Sequence, residues 1–176
     1  MMMWDKRVVN LIEEYVGEYL VACSVANVDD GFKWGFVGVY GPNVDSNRRL
    51  LWDEIAALCS WWYCSWCIGG DFDITRSPSE RSGDSSIGPA MAYFSSLIFE
   101  LNLVDLPLAG GDYIWPSNER AWSKLDRFIV SPSWEAHFPN LCQKRLPRLC
   151  SDHVPSYWIV GASMRGEDTF NPKTCG

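Results

Sequence analysis

Asp71 and Asp73 close the segment Gly69-Gly70-Asp71-Phe72-Asp73, directly after the apolar run Trp66-Cys67-Ile68. In an extended chain, side chains two residues apart share a face, so both carboxylates point one way with their Cα atoms roughly 7 Å apart. Mg²⁺ is held by one or two carboxylates together with waters and substrate phosphate oxygens, so this pair suits a divalent cation or a phosphate. Two solvated carboxylates ending a strand would carry the same pattern. Ser151-Asp152-His153 supplies one of only two histidines in the chain. Neighbouring residues on a strand face opposite ways, so these three are not a self-contained triad, and no G-x-S-x-G elbow occurs elsewhere. His153 beside a carboxylate from another strand could move a proton at neutral pH, its unperturbed pKa being about 6.5; the alternative is a structural imidazole.

Leu125-Asp126-Arg127-Phe128-Ile129-Val130 puts an acid and a base at the start of an apolar strand, either as functional groups or as a buried or capping ion pair. Cys64-Ser65-Trp66-Cys67 has the spacing of a redox or zinc pair, but no second pair follows, and positions i and i+3 of a strand point apart. Between Arg120 and Cys150 there are six Lys and Arg against two acids, which makes this stretch the place for a polyanion to touch an otherwise acidic chain. Lys124 and Arg127 are its candidates for nucleic-acid contact, with an ordinary solvated basic face as the alternative.

These groups need strands and helices to hold them. Trp4, Val8, Leu11, Ile12 and Tyr15 recur at helical spacing up to Gly17, which predicts a short first helix. Tyr19 to Val25 reads as a strand, Asn27 to Gly31 as a turn, and Phe32 to Tyr40 as a second strand ending at Gly41-Pro42. A helix starting near Asp45-Ser46 feeds a buried strand over Trp66 to Gly70. Thr75 to Gly88 is a polar loop, and Pro89 stands where a first helical residue belongs, ahead of an apolar face of Met91, Phe94, Leu97, Ile98 and Leu101. Strand-like pieces follow at Leu103–Leu106, Asp112–Trp115, Leu125–Val130 and Val154–Val160. Helices and strands alternate without a strict βαβ rhythm, which favours a layered α/β or α+β domain.

Composition sets the outer limits. The 176 residues are 47% hydrophobic and 21% charged and include ten Trp, far more apolar area than disordered or linker sequences carry. A chain of this length buries roughly 70% of its unfolded surface around one core. The net charge of -7 argues against gripping phosphates through bulk charge. The uncharged, mostly apolar run Ile55 to Ile68 has 14 residues, short of the roughly 18 to 20 that cross a bilayer. The N-terminus runs straight into charge without an apolar signal region, and seven scattered cysteines do not form an even, dense disulfide framework. Both point to a reducing, intracellular setting.

Taken in order, Val39-Tyr40-Gly41-Pro42, Trp66 to Asp73, Ser123-Lys124-Leu125-Asp126-Arg127-Phe128 and Ser151-Asp152-His153 resemble the endonuclease/exonuclease/phosphatase superfamily. The wording between them, notably Leu101 to Leu108 and Gln143 to Arg148, is similar to the endonuclease domain of plant non-LTR (LINE-type) retrotransposon polyproteins. The likeness covers about Trp4 to Pro155. It implies a deoxyribonuclease-I-like, four-layer α/β sandwich of two mostly antiparallel sheets flanked by helices. It also implies a Mg²⁺-dependent phosphodiesterase site at one rim, DNA as partner, a nuclear place of action, and neither membrane nor small-molecule cofactor.

On that resemblance His153 is the general acid/base and Asp126 the carboxylate that orients it. Asp71 activates water or assists the leaving group and shares the metal region with Asp152, Tyr40 hydrogen-bonds the scissile phosphate, and Trp115 packs beside the nucleic acid. Three departures temper the expected activity. The family's N-terminal Asn and metal-binding Glu precede the region matched here, so residues 1–160 read as a partial domain lacking the family's first strands. Asp73 stands where the family has a phosphate-binding Asn. After Pro155 the wording diverges, and residues 161–176 read as an unstructured tail. A carboxylate about 4 Å from a phosphate costs about 4 kcal/mol at an effective dielectric of 20, about a thousandfold in rate. The expected function is therefore an impaired DNA-nicking endonuclease. The alternatives are an inactive remnant that binds nucleic acid or protein, and a phosphatase of the same superfamily.

Overall fold

The computed structural model describes residues 2–82, 86–107, 124–139, 142–145 and 156–159. Six strands form one sheet in the order β1-β2-β3-β4-β6-β5, and β7 (Cys142–Arg145) pairs with β8 (Ser156–Ile159) in a second, antiparallel one. The first three strands, β1 (Val9–Val16), β2 (Leu20–Asn27) and β3 (Lys33–Tyr40), are antiparallel neighbours. β3 and β4 (Ser65–Asp71) are parallel, which requires a crossover, and α1 (Asp45–Trp61) supplies it. α2 (Pro89–Glu100) leads to the two-residue β5 (Val104–Asp105), β6 (Asp126–Val130) returns antiparallel to β4, and α3 (Pro132–His137) follows.

The sheet is apolar on both faces. On one, Leu51, Trp52, Ile55 and Leu58 of α1 and Phe94 and Ile98 of α2 pack against Ala22, Val37, Ile68 and Ile129. On the other, Trp134 of α3 joins Val25, Trp34, Cys67, Phe128 and Val130. α1 buries residues at the i, i+4, i+7 spacing of an amphipathic helix. α2 begins with Pro at its first position and stops where Asn102 takes a left-handed backbone, φ 50°. The Asn102 and Leu103 N–H groups return to the Phe99 and Ile98 carbonyls, the paired bonds of a Schellman stop. α3, which the sequence reading did not anticipate, is capped by Ser131, whose Oγ accepts from Trp134 N, with Pro132 next.

The expected first helix is a strand instead. β1 carries a bulge between Leu11 and Glu13, so Ile12 is an extra residue against β2. The bulge turns Val9 and Tyr15 to opposite faces, where they join the two different clusters. An interrupted two-residue alternation leaves apolar residues three and four apart, which imitates helical spacing. Of the other elements read from sequence, the Asp112–Trp115 piece lies outside the described residues.

Arg127 also differs from expectation: it is fully buried and does not face a polyanion. Its guanidinium donates to Asp105 Oδ2 at 2.7 Å, Glu80 Oε2 at 2.8 Å and the Lys124 carbonyl at 2.7 Å, and lies 5.2 Å from the centre of the Phe94 ring. Lys124 Nζ sits 3.3 Å from Asp105 and its side chain is only 16% exposed, so the second basic candidate serves the same cluster. Burial pushes the Glu80 carboxyl up, but the hydrogen bond and charge of Arg127 outweigh it and hold the group below its ordinary value. A lowered folded-state pKa adds stability that is complete above the ordinary carboxylate range and is lost as pH falls through the lowered value. Arg127→Met, which takes the guanidinium from Glu80 and leaves Asp105 with Lys124 and the more distant Arg76, is expected to cost about 3–5 kcal/mol at neutral pH and to flatten the acid limb of stability against pH. Urea denaturation between pH 3 and 7 reads both effects; a cost under about 1 kcal/mol would contradict the role given to this cluster.

Candidate active site

Strand register brings three of the residues singled out from sequence into one row. Tyr40, the last residue of β3, is the partner of Asp71, the last of β4, and Asp71 is the partner of Asp126, the first of β6. Directly paired residues on adjacent strands point to the same face, with strands about 4.8 Å apart. Alternation puts this row on the face of Cys67, Phe128 and Val130, away from α1 and α2. Tyr40 is 73% exposed, while Asp71 and Asp126 are half-buried.

The two glycines before Asp71 allow that alignment. Gly70 has φ 142°, and a Cβ there would run into the Val39 carbonyl oxygen. A Cβ on Gly69 would collide with the Phe128 ring. β4 thus lies flush between its neighbours up to the rim. Beyond it, Phe72 is buried against Phe94 and Trp52, its N–H bonds the Leu125 carbonyl at 3.1 Å, and Gly41 N–H bonds the Asp71 carbonyl at 2.6 Å. Both chain exits at the rim are therefore tied down.

Asp73 occupies a left-handed backbone, φ 50°, and its N–H donates to Asp71 Oδ1 at 2.9 Å. Its carboxylate is paired: Arg48 Nη2 reaches Asp73 Oδ2 at 2.8 Å and the Asp73 carbonyl at 2.9 Å. Arg48, in the first turn of α1, also pairs with Asp45. The sequence reading missed Arg48. The available signal was a cation at a helix N-terminus, where the macrodipole disfavours one, so that some other partner had to hold it there. With Arg48 beside it, Asp73 is not the isolated negative charge that a bare carboxylate at this position would be.

His153, Asp152 and Trp115 lie outside the described residues. Cys64 and Cys67 show no reactive character: burial pushes the Cys64 thiol up to about 11 and Cys67 higher still, so both are protonated at neutral pH. Among the described residues no group of three or more His, Cys, Asp or Glu side chains is arranged to hold a metal ion. Asp71 and Asp126 are one strand apart, and two carboxylates completed by water and phosphate oxygens suffice for Mg²⁺, so the donor types of this rim fit that ion.

No family model and no curated protein matches the sequence. Solved structures do match. The endonuclease domain of TRAS1, a telomere-specific non-LTR retrotransposon, superposes with a TM-score of 0.67 at 13% identity over 88% of this chain and 70% of that one. An endonuclease/exonuclease/phosphatase protein from Bacteroides vulgatus gives 0.59 at 13% identity, covering 87% and 66%. A mannosyl-6-phosphatase from Bacteroides thetaiotaomicron gives 0.50 at 14%, covering 86% and 67%. This chain spans about two thirds of the length of those relatives. Two packed apolar faces, a β3–α1–β4 crossover and the shared superposition agree: the chain has the deoxyribonuclease-I-like fold of the endonuclease/exonuclease/phosphatase domains.

Proposed function

We propose that the rim carrying Tyr40, Asp71 and Asp126 is the phosphodiester-cleaving site of a Mg²⁺-dependent endonuclease domain of the non-LTR retrotransposon type, acting weakly on DNA. The alignment of these three residues on adjacent strand ends carries this reading, because it sets a hydroxyl and two carboxylates within reach of a single phosphate. The similarity in fold to the TRAS1 endonuclease domain supports it.

In this reading Tyr40, the most exposed of the three, donates its hydroxyl to a non-bridging phosphate oxygen. His153 takes a proton from the attacking water or returns one to the leaving oxygen, and Asp126 holds the imidazole in the required tautomer. Asp71, with one oxygen fixed by the Asp73 N–H, accepts from the attacking water or steadies the leaving group. Asp71 with Asp152 or Asp126 would hold Mg²⁺, which when bound neutralises charge on the phosphate. Trp115 would flank the strand being cut. A site of two carboxylates retains a divalent ion poorly without substrate oxygens, so activity is expected to be low and to rise with added Mg²⁺.

Supercoiled-plasmid relaxation tests this. Slow nicking with Mg²⁺ that EDTA abolishes is expected, and Asp71→Ala or His153→Ala should lower it at least about a hundredfold, the usual worth of a positioned acid or base. Nicking that survives EDTA or persists in both variants would overturn the assignment; phosphate release from small phosphomonoesters without nicking would favour the phosphatase reading. Tyr40→Phe deletes one hydrogen bond to a charged group, about 1.5–3 kcal/mol, so single-turnover nicking should fall roughly ten- to a hundredfold. No change in that rate would remove Tyr40 from the site.

A further inference from the structure

We propose that Arg48 is a positioning residue for Asp71, acting through Asp73, and that Arg48 and Asp73 form a matched pair in which neither works alone. The functional half of this inference rests on the reading of the rim given above; the structural half does not.

α1 crosses from β3 to β4, which brings its first turn back beneath the end of β4. From there Arg48, its side chain only 12% exposed, sends one nitrogen to both the carboxylate and the carbonyl of Asp73. Its other terminal nitrogen pairs with Asp45, and Nη2 also lies 3.3 Å from the Asn43 carbonyl. A guanidinium held at several points is a rigid clamp. What it clamps is a residue at φ 50°, a conformation that L residues rarely adopt and that Asp tolerates better than most. That conformation aims the Asp73 N–H at Asp71 Oδ1. The Asp71 carboxylate cannot rotate freely while that bond stands, so the orientation of a rim carboxylate depends on a helix on the opposite face of the sheet.

Charge makes the dependence mutual. Without Arg48, Asp73 would lose the counterion that reaches its carboxylate at 2.8 Å and would leave that charge next to Asp71. Without the Asp73 charge, a nearly buried guanidinium would keep two backbone carbonyls and, as a charged partner, Asp45, whose side chain is 72% exposed. Neutralising either member alone should therefore be worse than neutralising both.

Amide exchange in the full chain tests the structural half without reference to activity. In Arg48→Gln the Asp73 amide should exchange at least tenfold faster relative to Phe72, whose N–H bonds Leu125 instead. Arg48→Lys keeps the charge but loses the two-point grip and should fall between. Because Lys is the milder change, it decides the matter should Arg48→Gln fail to fold. Unchanged Asp73 exchange in a folded Arg48 variant overturns the proposal. For the functional half, Arg48→Gln and Asp73→Asn should each lower kcat for plasmid nicking about tenfold with KM held. Arg48→Gln/Asp73→Asn should recover most of that loss. Singles that simply multiply in the double overturn the matched pair. Absence of nicking in the unaltered chain counts against the proposed function alone, and the exchange measurement still decides the positioning role.

Discussion

One cation closed off from water governs the geometry around the rim. Arg127 follows Asp126 directly, and its guanidinium gathers the Ile74 carbonyl and Glu80 from the segment after β4, the Lys124 carbonyl just before β6, Asp105 from β5 and the aromatic face of Phe94 from α2. A fully buried charge is tolerable only when hydrogen-bonded and neutralised, and removing partners leaves the remainder uncompensated. Four stretches of chain are therefore obliged to meet at one point. The strand that presents Asp126 starts there, which fixes where β6 can lie against β4 and hence which residue stands opposite Asp71.

Local pattern was enough to read most of the main sheet. β2 to β4 and α1 and α2 announce themselves through alternation, the 3.6-residue period, Pro89 at a helix start and the Gly69-Gly70 stop. The opening segment misled because a bulge at Ile12 breaks the alternation that identifies a strand. α3 was legible in principle: Ser131-Pro132 is a cap followed by the residue best suited to a first helical position, and Glu135 lies in the first turn. It went unread because the helix has only six residues and its apolar content is one Trp and one Ala.

The charged residues were harder, for a reason of range. Counting cations from Arg120 to Cys150 treats Arg127 as surface, yet its partners Glu80 and Asp105 lie far upstream, and no local rule brings them together. Asp73 is the mirror case. Read within Gly-Asp-Phe-Asp it is an unwelcome negative charge; its counterion comes from the preceding helix. The Tyr40–Asp71–Asp126 row, by contrast, combines three strand ends, each locally visible, with a strand order that only the fold supplies.

The parallel β3–β4 pair also bears on how the molecule assembles. β1, β2 and β3 meet through short turns, whereas β3 joins β4 only after α1 is laid across the sheet, and β4 joins β6 only after a longer stretch that includes α2. Contacts that close longer loops carry a larger entropic penalty and tend to form later. The amino-terminal meander can thus take shape while the rim is still open. Its acidic row comes into being only when β6 docks, so fraying of that one strand would dismantle the site and leave most of the sheet intact.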